Sequence, residues 1–149
     1  MSSFQVTFDC LEPARLTQFW ATALGYEVEP PPGGAPSWNS YWRSIGVPED
    51  ELDDDVDAAD SLIDPAGLGP RIWFQRVPEA KTIKNRLHLD LSRGGGRAVP
   101  LAQRRERVLA EETRLVAAGA QRLRVLETEG LDHFGVVMVD PEGNEFCIH

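Results

Sequence analysis

Cysteine is scarce: Cys10 and Cys147 are the two among 149 residues. Two thiols supply neither a disulfide framework nor a zinc cluster of their own, so free, buried cysteines are expected. No apolar run reaches the roughly 18 residues that a membrane-spanning helix needs. Positive charge is also short, with 15 Lys and Arg against 24 Asp and Glu and a net charge of −9. A surface that tracks phosphates needs the opposite sign, which argues against nucleic acid as a partner. The first residues, Met1-Ser2-Ser3-Phe4-Gln5, lack a basic stretch followed by an apolar core. No secretory leader is therefore expected, and the cytoplasm is the expected compartment. Gly94-Gly95-Gly96 lacks the spacing of a dinucleotide fingerprint, and no phosphate-binding lysine motif follows it.

What the chain does have is enough apolar residue, 42%, to bury a core at a mass of 16.5 kDa. Residues 4–10 alternate apolar and polar, which predicts a strand with Phe4, Val6, Phe8 and Cys10 on one face. Pro13 opens a helix that carries Leu16, Phe19, Trp20, Ala23 and Leu24 at three- and four-residue spacing, and Gly25 ends it. Residues 26–29 read as a short strand, 30–36 as a Pro/Gly loop and 38–47 as an apolar-aromatic strand. The stretch 49–60 is acidic. Asp53, Asp55 and Asp57 imitate the opening of a calcium loop, but Ala58 and Asp64 stand where such a loop has Gly and Glu, so a solvated loop is expected. Residues 71–77 are a strand.

After a linker at 81–86 the pattern restarts. Residues 87–92 alternate like the first strand. Pro100 opens a second helix, with Leu101, Val108, Leu115 and Val116 inward, Arg104, Arg105, Arg107 and Arg114 on a solvated face, and Gly119 as its stop. Strands follow at 121–127, 134–139 and 145–149, with a turn at 140–144. The chain thus reads strand–helix–three strands twice, as one α+β domain over residues 1–149 with modules at about 1–80 and 86–149. Each half alone would be marginal. Together they predict an open, curved, eight-stranded, barrel-like sheet with helices outside.

Strand parity sends Gln5, Thr7 and Asp9 to the side away from the core. It does the same for Arg71, Trp73 and Gln75, for His88, Asp90 and Ser92, and for Glu145, Cys147 and His149. If the sheets curl, these faces line one hollow. Trp38, Trp42 and Trp73 suit either its walls or the core, and an aromatic-lined cleft suits a flat organic ligand. Asp90 suits a general base beside His88, or a structural bridge to Arg71 or Asn85. His133 is expected at the surface.

Several segments together resemble the vicinal oxygen chelate superfamily of glyoxalase I, extradiol dioxygenases and bleomycin-resistance proteins. They are residues 5–25 with Glu12-Pro13, Phe19-Trp20 and Leu24-Gly25, then Phe74-Gln75-Arg76-Val77-Pro78-Glu79. Asn85-Arg86-Leu87-His88-Leu89-Asp90 and the ending Asp140-Pro141-Glu142-Gly143-Asn144-Glu145-Phe146-Cys147 complete the match. The match is nearest to small glyoxalase-like domain proteins. The resemblance implies a divalent metal (zinc, nickel, manganese or iron) held by one ligand from each of four strands. By position those ligands are Gln5, Gln75, His88 and Cys147, the last where metal-dependent members carry glutamate. It also implies a lyase, isomerase or dioxygenase type of chemistry that polarises vicinal oxygens.

The donors argue against the metal. Two neutral carbonyl oxygens, one imidazole and one buried thiol leave no assured anionic ligand, although Glu145 or His149 could turn in. The expected function is therefore small-molecule binding. Gln5, Thr7, Trp38, Trp42, Trp73 and Gln75 would contact the ligand, and His88, Asp90 and Glu145 are the residues that could act catalytically. The alternatives are a metal-dependent enzyme and a drug-sequestering resistance protein. A homodimer would cover exposed sheet edges.

Overall fold

The computed structural model describes residues 4–52 and 60–149. Asp53, Asp55 and Asp57, the imitation calcium loop, lie outside the described residues. The chain divides into two compact units, Met1–Ala21 with Gly25–Pro78, and Thr22–Leu24 with Glu79–His149.

The first unit carries a four-stranded sheet of order β1-β4-β3-β2. Its strands are β1 (Gln5–Cys10), β2 (Glu27–Val28), β3 (Ser61–Ile63) and β4 (Arg71–Arg76). β1 runs parallel to β4, and the remaining pairs are antiparallel. Helix α1 (Pro13–Leu24) starts on Pro13 and ends on left-handed Gly25, as the sequence indicates. Leu16, Phe19 and Trp20 are buried, and the Trp20 ring lies 5.3 Å from that of Phe8. Ile72 and Phe74 of β4 are buried with them, so the parity of β4 is as expected. Phe4 is not part of this core and stands 70% exposed, one residue ahead of the sheet.

The aromatic stretch 38–47 is not a strand. It forms helix α2 (Trp38–Ser44), because Ser37 takes an extended backbone and its hydroxyl accepts the Ser40 N–H at 3.1 Å. Trp38, Tyr41 and Trp42 then fall at helical spacing and pack on one another, with Trp38 and Trp42 stacked 5.6 Å apart. The third strand of the unit is instead β3, a three-residue segment following the acidic stretch.

The second unit repeats the plan. Its sheet has the order β5-β8-β7-β6, again with a parallel first pair. The strands are β5 (Asp90–Leu91), β6 (Gln121–Glu127), β7 (Phe134–Val139) and β8 (Glu145–Ile148), and helix α3 (Leu101–Ala117) packs on β6, β7 and β8. The core is Val108 and Leu115 of the helix with Phe134, Val136, Met138, Phe146 and Ile148 of the sheet. Residues 87–92 pair over less length than their alternation suggests, and Leu87 is 86% exposed.

The inward stripe of α3 is Arg104, Val108, Glu112 and Leu115. Arg104 is therefore buried rather than solvated, and Val116 is exposed. Helical period decides this, because 104, 108, 112 and 115 share a face that 116 leaves. The two buried charges are matched: Arg104 pairs with Asp132 and donates to the Val99 carbonyl, and Glu112 pairs with Arg122.

Candidate functional site

In the first unit, register places six side chains on the outward face of β1 and β4. Gln5 lies beside Arg71, Thr7 beside Trp73, and Asp9 beside Gln75. A cavity of about 690 Å³ is lined by Trp38, Trp42, Trp73, Arg71, Gln75 and Arg76, among others. Trp38, Trp42, Trp73 and Gln75, each expected to touch a ligand, are therefore brought to one place. Gln5 and Thr7 lie on the adjoining strand, the Gln5 amide donating to the Thr7 hydroxyl at 3.3 Å.

The walls of this cavity are tied down. The Trp73 indole N–H donates to Asp60 at 2.8 Å, and that of Trp38 donates to the Glu29 carbonyl at 3.3 Å. Arg71 donates to the Glu29 carboxylate at 2.7 Å, the Ser61 hydroxyl at 2.8 Å and the Gln5 Oε1 at 2.5 Å.

In the second unit the outward face is ionisable. Asp90 stands beside Cys147 in register, with Val137 and then Arg124 completing the row across β7 and β6. His88 Nδ1 lies 3.0 Å from Asp90 Oδ1. Ligand atoms of His88, Asp90 and Cys147 all lie within 4.8 Å of one another. Burial pushes the Cys147 thiol up, and its hydrogen bond to Asp90 and that residue's charge push it further, against the opposing pull of Arg124. Glu145 is held below the ordinary carboxylate range by its hydrogen bond to Lys84, with Lys81 and Arg124 adding to this. A carboxylate stabilised in that way is a weak base. Asp90 has His88 and Cys147 as partners, and Asn85 instead accepts the Glu145 backbone N–H. His133 is exposed, and with Arg97, Arg104 and His149 it lines a smaller cavity of about 380 Å³.

Gln5 and Gln75 do not converge. Gln5 pairs with Arg71, and Gln75 lies four residues further along β4, opposite Asp9. At the usual strand rise this is roughly 13 Å. The oxygen of Gln5 already accepts from a guanidinium. A divalent cation held by all four strands therefore does not fit these residues: two of its slots lie far apart on one sheet, and a fixed cation occupies the place beside Gln5. His88, Asp90 and Cys147 by themselves do fit a borderline-soft ion such as zinc, offering nitrogen, oxygen and sulfur donors.

A repeat within the repeat marks the turn that precedes β4. Asp64-Pro65-Ala66-Gly67 precedes β4 as Asp140-Pro141-Glu142-Gly143 precedes β8. In each, the aspartate accepts backbone N–H groups of the turn it opens. The first of these turns follows β3, and the strand after it starts later: β4 begins at Arg71, seven residues past Asp64, and β8 at Glu145, five past Asp140. In the turn before β4, a Cβ at Gly69 would lie 1.8 Å from the Tyr26 hydroxyl, so a larger residue there would have to displace the Tyr26 ring.

A strand, a helix and three further strands, present twice, with parallel first and last strands in each half, define the fold of the glyoxalase, bleomycin-resistance and dioxygenase proteins, the vicinal oxygen chelate superfamily. The model of the glyoxalase-like domain matches residues 5–149, and the chain belongs to that family. Among solved structures it is similar to a glyoxalase/bleomycin resistance/dioxygenase family enzyme from Burkholderia phytofirmans PsJN. Identity there is 18% over 97% of this chain and 94% of the other, with a TM-score of 0.55. It is also similar to the fosfomycin resistance protein FosX from Listeria monocytogenes, solved as a mutant complexed with Mn(II) and 1S,2S-dihydroxypropylphosphonic acid. Identity is 12% over 100% and 90% of the two chains, with a TM-score of 0.59. A hypothetical protein from S. aureus is 14% identical over 99% and 92%, with a TM-score of 0.59. No curated protein matches the chain. At these identities the structures share its fold. No described helix is long and apolar enough to cross a membrane.

Proposed function

We propose that the protein is a cytoplasmic small-molecule binder whose ligand is a planar organic compound seated in the tryptophan-lined cavity of the first unit. The observation that carries this reading is the arrangement of Trp38, Trp42 and Trp73 around about 690 Å³, a volume in the range of small-molecule sites. Two of the three indoles are fixed by hydrogen bonds, so little side-chain freedom is lost when a ring stacks on them. Gln75 and Thr7 supply polar contacts for orientation. Two free cysteines suit a reducing compartment.

Titrating the protein with 2-naphthoate, followed by saturation-transfer NMR on the probe, tests the reading. Saturable binding that weakens by about tenfold in Trp42→Ala is the expected result. Trp42 is 38% exposed and is not among the buried core residues, so its truncation spares the core. An absence of saturable binding in the wild-type protein overturns the reading.

The cluster in the second unit favours a second reading, a metal-dependent enzyme. His88, Asp90 and Cys147 would hold a zinc-like ion, with Glu145 alongside on β8. Bound there, such an ion would supply Lewis-acid polarisation of a substrate oxygen. Metal analysis after dialysis against zinc, nickel and manganese separates the two readings. Stoichiometric zinc that disappears in His88→Ala supports the enzyme, and a metal-free protein that still binds the aromatic probe supports the binder.

A further inference from the structure

The two units match strand for strand, and one matched position differs in the sign of its charge. Arg71 opens β4 and Glu145 opens β8, each one residue ahead of a buried core residue, Ile72 or Phe146. The residue beside Gln5 in register is Arg71. Register in the second unit sets Asp90 beside Cys147, two residues past Glu145 on the same face of β8. Where the second unit offers a carboxylate, the first offers a guanidinium, and it does so on the wall of the tryptophan cavity.

That guanidinium is fixed. Its Nε and Nη2 face the Glu29 carboxylate at 2.7 and 2.6 Å, Nη2 also donates to Ser61 at 2.8 Å, and Nη1 donates to Gln5 at 2.5 Å. Arginine carries five N–H hydrogens in a planar fork, so one Nη1 hydrogen has no acceptor among the described residues. An unused donor on a held guanidinium that lines the same cavity as the tryptophans is a recognition element for an oxygen atom.

We propose that Arg71 is the specificity-determining residue of this cavity, and that its ligand class is a planar aromatic compound bearing a carboxylate or comparable oxyanion that accepts the free Nη1 hydrogen. The inference rests on the proposed binding function and adds the chemistry of the ligand's polar end. Glu29 largely neutralises Arg71, so the preference comes from a directed hydrogen bond rather than from net charge. It is therefore about tenfold rather than many orders of magnitude. It also survives about 1 M salt, where the screening length falls to about 3 Å.

The test compares 2-naphthoate with 2-naphthylmethanol, which has the same rings and a neutral polar end. Wild-type protein is expected to bind 2-naphthoate about tenfold more tightly, in low and in high salt. The double variant Arg71→Met with Glu29→Gln, which leaves no unpaired carboxylate behind, is expected to bind both probes alike while keeping its near-ultraviolet circular dichroism. An Arg76→Ala control is expected to retain the preference at high salt. The proposal is overturned if the wild type shows no preference, if the double variant keeps it, or if Arg76→Ala alone removes it. Binding of 2-naphthylmethanol without a preference sinks the role of Arg71 and leaves the aromatic cavity standing. Failure of both probes sinks the cavity reading and this inference together.

Discussion

The two units are built to one plan and spend their outward faces differently. The first covers its face with α2, a helix of stacked aromatic residues, and leaves a cavity of about 690 Å³ in which every large wall is apolar or hydrogen-bonded. The second has no counterpart of α2 among the described residues, and its equivalent face carries His88, Asp90, Glu145 and Cys147 in contact with one another or with lysine. Core positions follow the same rule in both, whereas the positions between them do not. Ile72 and Phe74 are buried in β4 as Phe146 and Ile148 are in β8, but the residues alternating with them are Arg71 and Trp73 in one strand and Glu145 and Cys147 in the other. A duplicated fold keeps its core because packing is unforgiving there, and is free to place stacking chemistry in one half and proton or metal chemistry in the other.

The largest expected effect checks that the cores are equivalent. Phe74→Ala and Phe146→Ala each remove a fully buried ring, and each should cost about 3–5 kcal/mol in urea denaturation. All four tryptophans, Trp20, Trp38, Trp42 and Trp73, lie in the first unit, so their fluorescence follows that unit while far-ultraviolet dichroism follows both. A cost below about 1 kcal/mol at either site would show that the two cores are not packed alike.

The paired turns should differ next. Asp140 is buried and accepts the Glu142 and Asn144 backbone N–H groups, both at 2.9 Å, together with the Asn144 amide. Asp140→Ala strands these donors away from water and should cost about 1–3 kcal/mol, read from thermal melts. Asp64 does the same work at the surface, where water can replace it, so Asp64→Ala should cost clearly less. The Asp64 carboxyl is held below the ordinary range by the Ala66, Gly69 and Leu68 N–H groups it accepts. Because its folded-state value is depressed, its contribution is present above the ordinary carboxylate range and is lost as pH falls through the lowered value. Protection of the Leu68 and Gly69 amides, taken against their intrinsic exchange rates, should fall only in that acidic window. Equal costs for Asp64→Ala and Asp140→Ala would break the distinction between the turns.

Most of the fold was legible because strand alternation and helix period are local signals. The β1 and β4 faces, the start and stop of α1, and the helix and last three strands of the second unit followed from spacing. What escaped was decided by context. Residues 38–47 have the aromatic composition of a strand, but the Ser37 cap sets them as a helix, and capping is a single-residue signal that composition hides. Arg104 and Glu112 look solvated in any charge count, yet they fall on the buried stripe and are matched there by Asp132 and Arg122. In the candidate site, the tryptophans and the proximity of His88, Asp90 and Cys147 were readable. The pairing of Gln5 with Arg71 was not, because register depends on the length of the turn between β3 and β4, and that turn is two residues longer than its Asp-Pro-x-Gly counterpart before β8.

The smallest expected effect probes the ionisable face by its chemistry. Cys147 is half-buried beside Asp90, and both burial and that carboxylate favour the thiol over the thiolate. Alkylation by iodoacetamide requires the thiolate, so Cys147 should react slowly at neutral pH and speed up only above the ordinary cysteine range. Asp90→Asn removes the negative neighbour and leaves the burial, which lowers the pH of onset and raises the rate at a fixed pH by a few-fold. Peptide mapping assigns the modified residue, since Cys10 is fully buried and should remain unmodified. The first unit has Trp73 where the second has Cys147, and Thr7 rather than a carboxylate stands beside it in register. If Asp90→Asn leaves the alkylation profile unmoved, Asp90 and Cys147 do not act on one another, and the second unit's face loses the coupling that sets it apart from the first.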